Sequence, residues 1–213
     1  MTILKYLVDL FLHIDKNLVL VIQNYGMLSY AILFGVVFME TGFVITPFLP
    51  GDSLLFAAGA LAAIGSFNVY ILFLLLFLAA FLGDTINYWI GHFIGPRAFS
   101  MNSRFLKKEY LDKATNFYEK HGGKAIILAR FVPIVRTFAP FVAGVGKMNY
   151  WRFIWFNFIG GLVWVALFVF GGFYFGNFPI VKANFHYVVV VIIAISIIPI
   201  GLEFAKAKMG KNW

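Results

Sequence analysis

The sequence predicts an all-α polytopic integral membrane protein. Its two opposed re-entrant (broken) helical hairpins are expected to pack with spanning and interfacial amphipathic helices as an inverted repeat. Hydrophobic residues make up 62% of the chain and charged residues only 12%, whereas a soluble domain carries about 25% charged residues. Several apolar runs are long enough to cross a bilayer. Two of these runs combine prolines with charged residues, which an ordinary spanning helix lacks.

The chain is predicted to form a single membrane domain, residues 1–213, with no separate soluble part. The predicted elements, in order, are an interfacial helix over 1–24, a re-entrant hairpin over 26–66, a span over 68–95, a cytoplasmic amphipathic helix over 103–121, a second re-entrant hairpin over 125–147, and spans over 153–176 and 184–203.

The first 24 residues have an apolar bulk with polar side chains along one helical face, which is typical of a helix lying in the membrane interface. The polar positions are Lys5, Asp9, His13 and Lys16. A tilted first span is the alternative. Charges this early, with no cleavage site behind an apolar core, lead us to expect no cleavable signal peptide.

The first hairpin contains two acidic residues, Glu40 and Asp52, inside an otherwise apolar run. The positions that interrupt the helix between them are Pro47, Pro50 and Gly51. Asp52 is also a favourable helix N-cap, so its structural alternative is to cap a half-helix that starts near Leu54. Paired proline-interrupted segments in two halves of a membrane protein point to an inverted-repeat transporter.

The second hairpin contains Arg130 and Arg136 together with Pro133 and Pro140. An arginine at the bilayer centre costs about 2.5–3.5 kcal/mol on translocon-based scales and usually marks a pathway or binding site. Broken backbone at that depth persists only when it is buried in protein or lines a cavity. We therefore expect the hairpin to present guanidinium groups to an anion. The alternative is that both arginines reach out to the membrane surface.

The span at 68–95 is interrupted by Asp84, which shares a helical face with Tyr88. Glycine steps at Gly91/Gly95 and at Gly172/Gly176 predict close helix packing and allow a homodimer. Basic residues gather in the middle of the chain and in its tail, and the positive-inside rule makes both regions cytoplasmic.

The candidate site combines Arg130 and Arg136, as ligands for a lipid phosphate, with Glu40 and Asp52, as proton-handling groups. The supporting residues are Asp84, Tyr88, Pro50, Pro133 and Thr137. Three buried acids do not balance two arginines, so one acid should be protonated or ready to take up a proton. The alternative is a purely structural ion-pair network, in which Asp84 pairs with a tyrosine or an arginine inside the bundle.

Other function classes find little support in the sequence. The absence of cysteine excludes thiolate metal sites and cysteine nucleophiles. Leu55 stands where a serine nucleophile elbow needs glycine. We expect no enzyme activity, no cofactor and no metal. The chain has a formal charge of +8, and because most of that excess lies in short loops we expect anionic lipid, and not nucleic acid, as its partner.

Three segments resemble the DedA family of bacterial inner-membrane proteins, which is itself similar to the VTT-domain lipid scramblases of eukaryotes. The segments read ETGFVITPFLPGDSLLFAAGAL, GDTINYWIG and FYEKHGGKAIILARFVPIVRTFAPFVAG. The resemblance covers about Tyr25 to Phe175. It implies a multi-pass protein of the inner membrane with two opposed re-entrant hairpins, embedded acids at Glu40 and Asp52, and an arginine pair at Arg130 and Arg136.

The resemblance also implies transport of lipid carriers, because family members are linked to undecaprenyl phosphate recycling, phosphatidylethanolamine movement and proton-dependent homeostasis. We therefore expect a proton-coupled transporter or flippase for a phosphate-bearing lipid, with undecaprenyl phosphate as the leading candidate. The alternatives are a passive scramblase for phosphatidylethanolamine, a proton/cation antiporter whose arginines act as counter-ions, and a scaffold that transports nothing.

Overall fold

The computed structural model describes residues 26–43, 51–94 and 119–179, together with positions 116 and 181. The predictions that lie outside the described residues are the interfacial helix over 1–24, most of the amphipathic helix over 103–121, the span over 184–203 and the contribution of Pro50.

The described part of the chain is helical and contains no β-strand, which confirms the all-α prediction there. Its helices are α1 (Met27–Gly42), α2 (Gly51–Ala63), α3 (Val69–Ile94), α4 (Ala125–Ala129), α5 (Pro133–Val145) and α6 (Tyr150–Gly176), with a short 3-10 turn at Gly122–Lys124. Helices α3 and α6 are long and apolar enough to cross a membrane. They lie where the sequence predicts spans at 68–95 and 153–176.

The chain forms two compact units. The first unit gathers the start of α1, helix α2, the start of α3 and the end of α6. In it, a side chain added at Gly59 would overlap the backbone of Val169, and one added at Gly172 would overlap the backbone of Phe56. Gly176 similarly faces Ala60, whose Cα would lie 2.9 Å from an added Cβ. Helix α2 therefore packs closely on the end of α6 through glycine.

The second unit gathers the rest of α1, most of α3, helices α4 and α5, and the first part of α6. Here α3 and α6 run antiparallel, because Trp89 near the end of α3 packs on Tyr150 at the start of α6, with ring centroids 5.2 Å apart. Gly91 on α3 touches the backbone of Phe141 on α5. The close helix packing predicted from the glycine steps is thus present within the chain at Gly91, Gly172 and Gly176.

Helices α4 and α5 form a hairpin within the second unit. Gly123, ahead of α4, packs on the Phe156 ring, and Gly144, near the end of α5, touches the backbone of Tyr88 and His92. Phe156 lies in the early part of α6, and His92 lies near the end of α3. Both ends of the hairpin therefore point toward the same end of the antiparallel α3–α6 pair.

The two prolines of this hairpin behave differently. Val132, which precedes Pro133, is extended at φ −118° and ψ 107°, because a residue before proline is disfavoured in the α conformation. Helix α5 starts at Pro133 and continues through Pro140. The predicted break at Pro140 is wrong, since helices packed among neighbours tolerate an internal proline.

The structure also differs from the sequence prediction at Asp52. Helix α2 begins at Gly51, which places Asp52 inside the first turn instead of ahead of a helix starting near Leu54. An acidic residue in that turn still interacts favourably with the positive end of the helix dipole.

Candidate functional site

Arg130 follows α4 at the break of the hairpin and forms a buried ion pair with Asp84 of α3. Arg130 is only 2% exposed and Asp84 only 3%. The Nη2 group of Arg130 donates both to Asp84 Oδ2 and, at 2.6 Å, to Oδ1 of Asn157 on α6. One nitrogen of the guanidinium thus joins the hairpin to both long helices.

Asn157 is itself held in one orientation. Its Nδ2 group donates to the carbonyl oxygen of Phe81 at 3.1 Å and to the Thr85 hydroxyl at 3.4 Å. The Thr85 hydroxyl in turn donates to the Phe81 carbonyl at 2.7 Å. Because the amide nitrogen has these acceptors on α3, the amide oxygen is the atom that faces Arg130.

Arg136, in the second turn of α5, forms a second buried ion pair with Glu40 near the end of α1. Glu40 is fully buried and Arg136 is 7% exposed. Removing one partner of such a pair leaves an uncompensated buried charge, which costs about 3–5 kcal/mol.

The indole ring of Trp164 connects the two ion pairs. The Cζ atoms of Arg130 and Arg136 lie 5.7 Å and 5.2 Å from the centre of its ring. Trp164 is fully buried, and a desolvated guanidinium on an indole face gains about 2 kcal/mol of cation–π attraction. The two guanidinium groups therefore lie against the same indole ring.

Asn87 joins the ends of the elements that carry Glu40 and Arg136. Its Nδ2 group donates to the carbonyl oxygens of Thr41 at 3.1 Å and Thr137 at 2.7 Å. The predicted supporting residue Thr137 therefore contributes its backbone carbonyl to this link. The contact ties both α1 and α5 to α3.

Tyr88 packs beside the hairpin and does not pair with Asp84. Its hydroxyl donates to the carbonyl oxygen of Met148, just after α5. Its ring stacks on Phe153, with centroids 4.4 Å apart. Of the two structural partners expected for Asp84, the structure therefore shows the arginine.

Two nitrogens of Arg130 have no hydrogen-bond acceptor among the described residues. Its Nε and Nη1 groups are buried and have no hydrogen-bond partner within residues 26–43, 51–94 and 119–179. Two consecutive glycines of α6 leave room for the guanidinium, since a Cβ on Gly160 would lie 3.2 Å from Nε and one on Gly161 would lie 3.4 Å from Nη2. An unsatisfied buried donor of a charged group costs several kcal/mol, so an anion that accepted hydrogen bonds from Nε and Nη1 would be bound favourably.

Each of the two buried arginines of this unit is paired with one buried acid. Glu40 and Asp84 each neutralise one arginine, while Asp52 belongs to the first unit. The role predicted for Asp52, as the third acid of the site, stays a prediction. Within the described segments, no group of three His, Asp or Glu side chains could hold a metal ion.

The sequence analysis did not identify four side chains around the two ion pairs: Thr85, Asn87, Asn157 and Trp164. A signal existed for Asn157, because it is a buried amide inside a long apolar helix, and polar groups at such positions usually pack against other helices. Trp164 gave no signal in a chain where aromatic residues make up 20% of the sequence.

The VTT domain family profile matches residues 49–174 of this chain. The match includes Asp52, Asp84, Arg130 and Arg136, whereas Glu40 lies just ahead of it. No solved structure matches the chain.

Three curated relatives are similar over most of their length. Protein DedA of Escherichia coli strain K12 is 52% identical over 211 residues, which cover 98% of this chain and 96% of the relative. An uncharacterised membrane protein of Mycobacterium leprae is 41% identical over 165 residues, 77% of this chain and 74% of the relative. Inner membrane protein YqjA of E. coli strain K12 is 38% identical over 156 residues, 73% and 70% of the two chains.

Proposed function

We propose that this chain, which belongs to the VTT-domain (DedA) family of membrane proteins, is a multi-pass transporter of the bacterial inner membrane that moves a phosphate-bearing lipid between leaflets. Undecaprenyl phosphate is the leading substrate, and proton uptake accompanies its binding.

The single observation that supports this function best is the set of open donors on Arg130. A guanidinium offers five N–H groups in a planar fork that matches phosphate oxygens. The Nε and Nη1 donors of Arg130 are buried without an acceptor among the described residues, and the second guanidinium lies on the same indole ring. Helix α5 also begins at this break, and the N-terminus of a helix attracts phosphate.

The geometry of the α4–α5 hairpin favours entry of the lipid headgroup into the site from the cytoplasmic side. Both ends of the α4–α5 hairpin lie toward the end of α3, and basic residues are exposed around them. These residues are Lys120, Lys124, Lys147 and Arg152. By the positive-inside rule that end faces the cytoplasm, so the hairpin is re-entrant and places Arg130 at its tip. The hairpin predicted from the sequence over 26–66 would be its counterpart in an inverted repeat.

The charge balance supports proton coupling. Each arginine is neutralised by one acid, so a phosphate that enters adds negative charge to a buried site unless a proton enters with it. Glu40 and Asp84, as direct partners of the arginines, are the acids placed to accept that proton. Asp52 remains a predicted proton-handling residue from the first unit.

The main alternative is a passive phospholipid scramblase that uses the same arginines without a proton. A proton/cation antiporter fits less well, because Glu40 and Asp84 face guanidinium groups that a bound cation would have to displace.

The test is translocation of undecaprenyl phosphate in proteoliposomes, with and without an imposed pH gradient. Wild type is compared with Arg136→Ala and with Arg152→Ala, an exposed arginine that serves as the control. We expect gradient-dependent movement in wild type and control, and its loss in Arg136→Ala. Movement without gradient dependence would favour the scramblase. If folded wild type moved neither this lipid nor phosphatidylethanolamine, the proposal would be refuted.

A further inference from the structure

We propose that Asn157 is a positioning residue for the lipid phosphate. It keeps one N–H of Arg130 Nη2 while the phosphate replaces Asp84 on the other. This inference rests on the proposed function and adds to it the order in which the ligands of Arg130 exchange. The order of exchange follows from the fact that Asp84 and Asn157 both accept hydrogen bonds from the same guanidinium nitrogen, Nη2.

A phosphate that binds a guanidinium with two parallel hydrogen bonds needs two N–H groups on one edge of the fork. Each such edge of an arginine contains an N–H of Nη2, paired either with Nε–H or with an N–H of Nη1. In this structure Nη2 contacts both Asp84 and Asn157, while Nε and Nη1 have no acceptor within the described segments. A bidentate phosphate must therefore displace one of these two acceptors.

The acceptor that leaves is Asp84. A carboxylate can take up one proton from solution and become a neutral acid, and the phosphate monoanion then replaces it on Nη2 with no change of net charge in the pair. The Asn157 amide carries no charge, so protonation cannot release it from Arg130 in the same way. Asn157 is also tied to α3 through Phe81 and Thr85, so it stays in place when the carboxylate leaves.

Asn157 thus keeps the guanidinium in place when Asp84 leaves during the exchange. The charged side chains around this step, among the described residues, are Asp84, Glu40 and Arg136. A carboxylate in place of the amide would give Arg130 two negative partners. Two carboxylates would then have to be protonated, instead of one, before the phosphate could bind.

The experiment measures binding of undecaprenyl phosphate to the purified full chain in lipid nanodiscs over a series of pH values. Wild type is compared with Asn157→Asp and Asn157→Leu. The matched control is Asn177→Asp, at an exposed asparagine just after α6 whose Nδ2 group donates to the Phe173 carbonyl of that helix. Thermal unfolding of each variant checks the fold. Thr85→Val, which removes the hydroxyl that receives the Asn157 amide, supplies a milder change if Asn157→Leu fails to fold.

We expect Asn157→Leu to bind about tenfold more weakly, because a hydrogen bond to a charged group is lost. Asn157→Asp should bind only at a pH below the range in which wild type binds, and Asn177→Asp should match wild type. Thr85→Val should weaken binding in the same direction as Asn157→Leu. Equal pH profiles for wild type and Asn157→Asp would refute the role of Asn157 alone. Absence of binding by folded wild type would instead refute the proposed function.

Discussion

Arg136 and Glu40 form a buried ion pair between residues 96 positions apart in the sequence. The pair joins the end of α1 to α5, so it contributes to the fold as well as to the proposed site. Its structural and functional contributions can be separated, because an uncharged pair can restore packing but cannot bind a phosphate.

We predict that Glu40→Leu alone lowers the free energy of unfolding by about 3–5 kcal/mol, because Arg136 is left as an uncompensated buried charge. The double change Glu40→Leu with Arg136→Met should recover most of that stability and still transport no lipid. Unfolding in mixed micelles and translocation in proteoliposomes measure the two effects. Transport by the double variant would show that Arg136 has no role in binding.

We predict that Arg130→Lys keeps the fold but reduces lipid translocation at least tenfold. Lysine retains the positive charge beside Asp84 and loses the planar fork. It also cannot contact Asp84 and Asn157 while offering the two parallel N–H groups that a phosphate uses. The control is Arg152→Lys, at an exposed position. Equal rates for Arg130→Lys and wild type would mean that charge alone matters at this position.

Gly160→Ala is expected to destabilise the second unit by about 1–3 kcal/mol, through overpacking against α4. The added Cβ would lie 3.1 Å from the Ile127 Cα and 3.2 Å from Arg130 Nε, so lipid translocation should fall as well. Gly171→Ala in the same helix is the matched control, since among the described residues its Cβ would meet only the Phe56 ring, at 3.9 Å. That change should leave the stability unchanged or raise it by up to about 1 kcal/mol. Equal effects of the two changes would contradict this packing.

The depth of the site in the bilayer can be predicted from α3. Exposed aromatic side chains at Tyr70 and Trp89 bracket the helix, and at a rise of about 1.5 Å per residue they are about 28 Å apart, close to the hydrocarbon thickness of about 30 Å. The bilayer midplane should then lie near residue 80. Asp84 should lie about 6 Å from it, on the side where α3 ends.

This prediction can be measured with single spin labels, because the chain contains no cysteine of its own. Labels would be placed at the exposed positions Leu74, Leu78, Leu82 and Ile86. Oxygen accessibility should be highest between Leu78 and Leu82. A maximum at Ile86 would put the ion pairs at the midplane, and rising accessibility to a water-soluble reagent along all four positions would contradict a span here.

The sequence could identify the charges of the site because acids and arginines are rare in apolar helices. It could not assign their partners, since Arg130 meets Asp84 across 46 positions and nothing local selects Asp84 over Asp52. Two prolines beside two arginines were enough to predict a broken segment over 125–147, but its position, at Val132 before Pro133, came from the structure. Pro140 has the same local signal, yet α5 continues through it, because tertiary packing decides whether a proline ends a helix.

The amides were harder to predict than the charges. Asn157 and Asn87 matter through their particular hydrogen-bond partners, which are backbone carbonyls and side chains of other helices. An asparagine in a sequence does not reveal those partners. The fold class and the charged residues were therefore accessible from composition and pattern, whereas the pairing and the bridging amides required coordinates.

The indole that lies against both guanidinium groups has an optical consequence. The emission of a buried tryptophan depends on the field of nearby charges, and Trp164 faces two cations whose counter-ions would exchange when a headgroup arrives. Trp164 should therefore act as a built-in fluorophore for the site. With the other four tryptophans replaced by phenylalanine, its emission spectrum would follow headgroup binding in real time, without any label on the lipid.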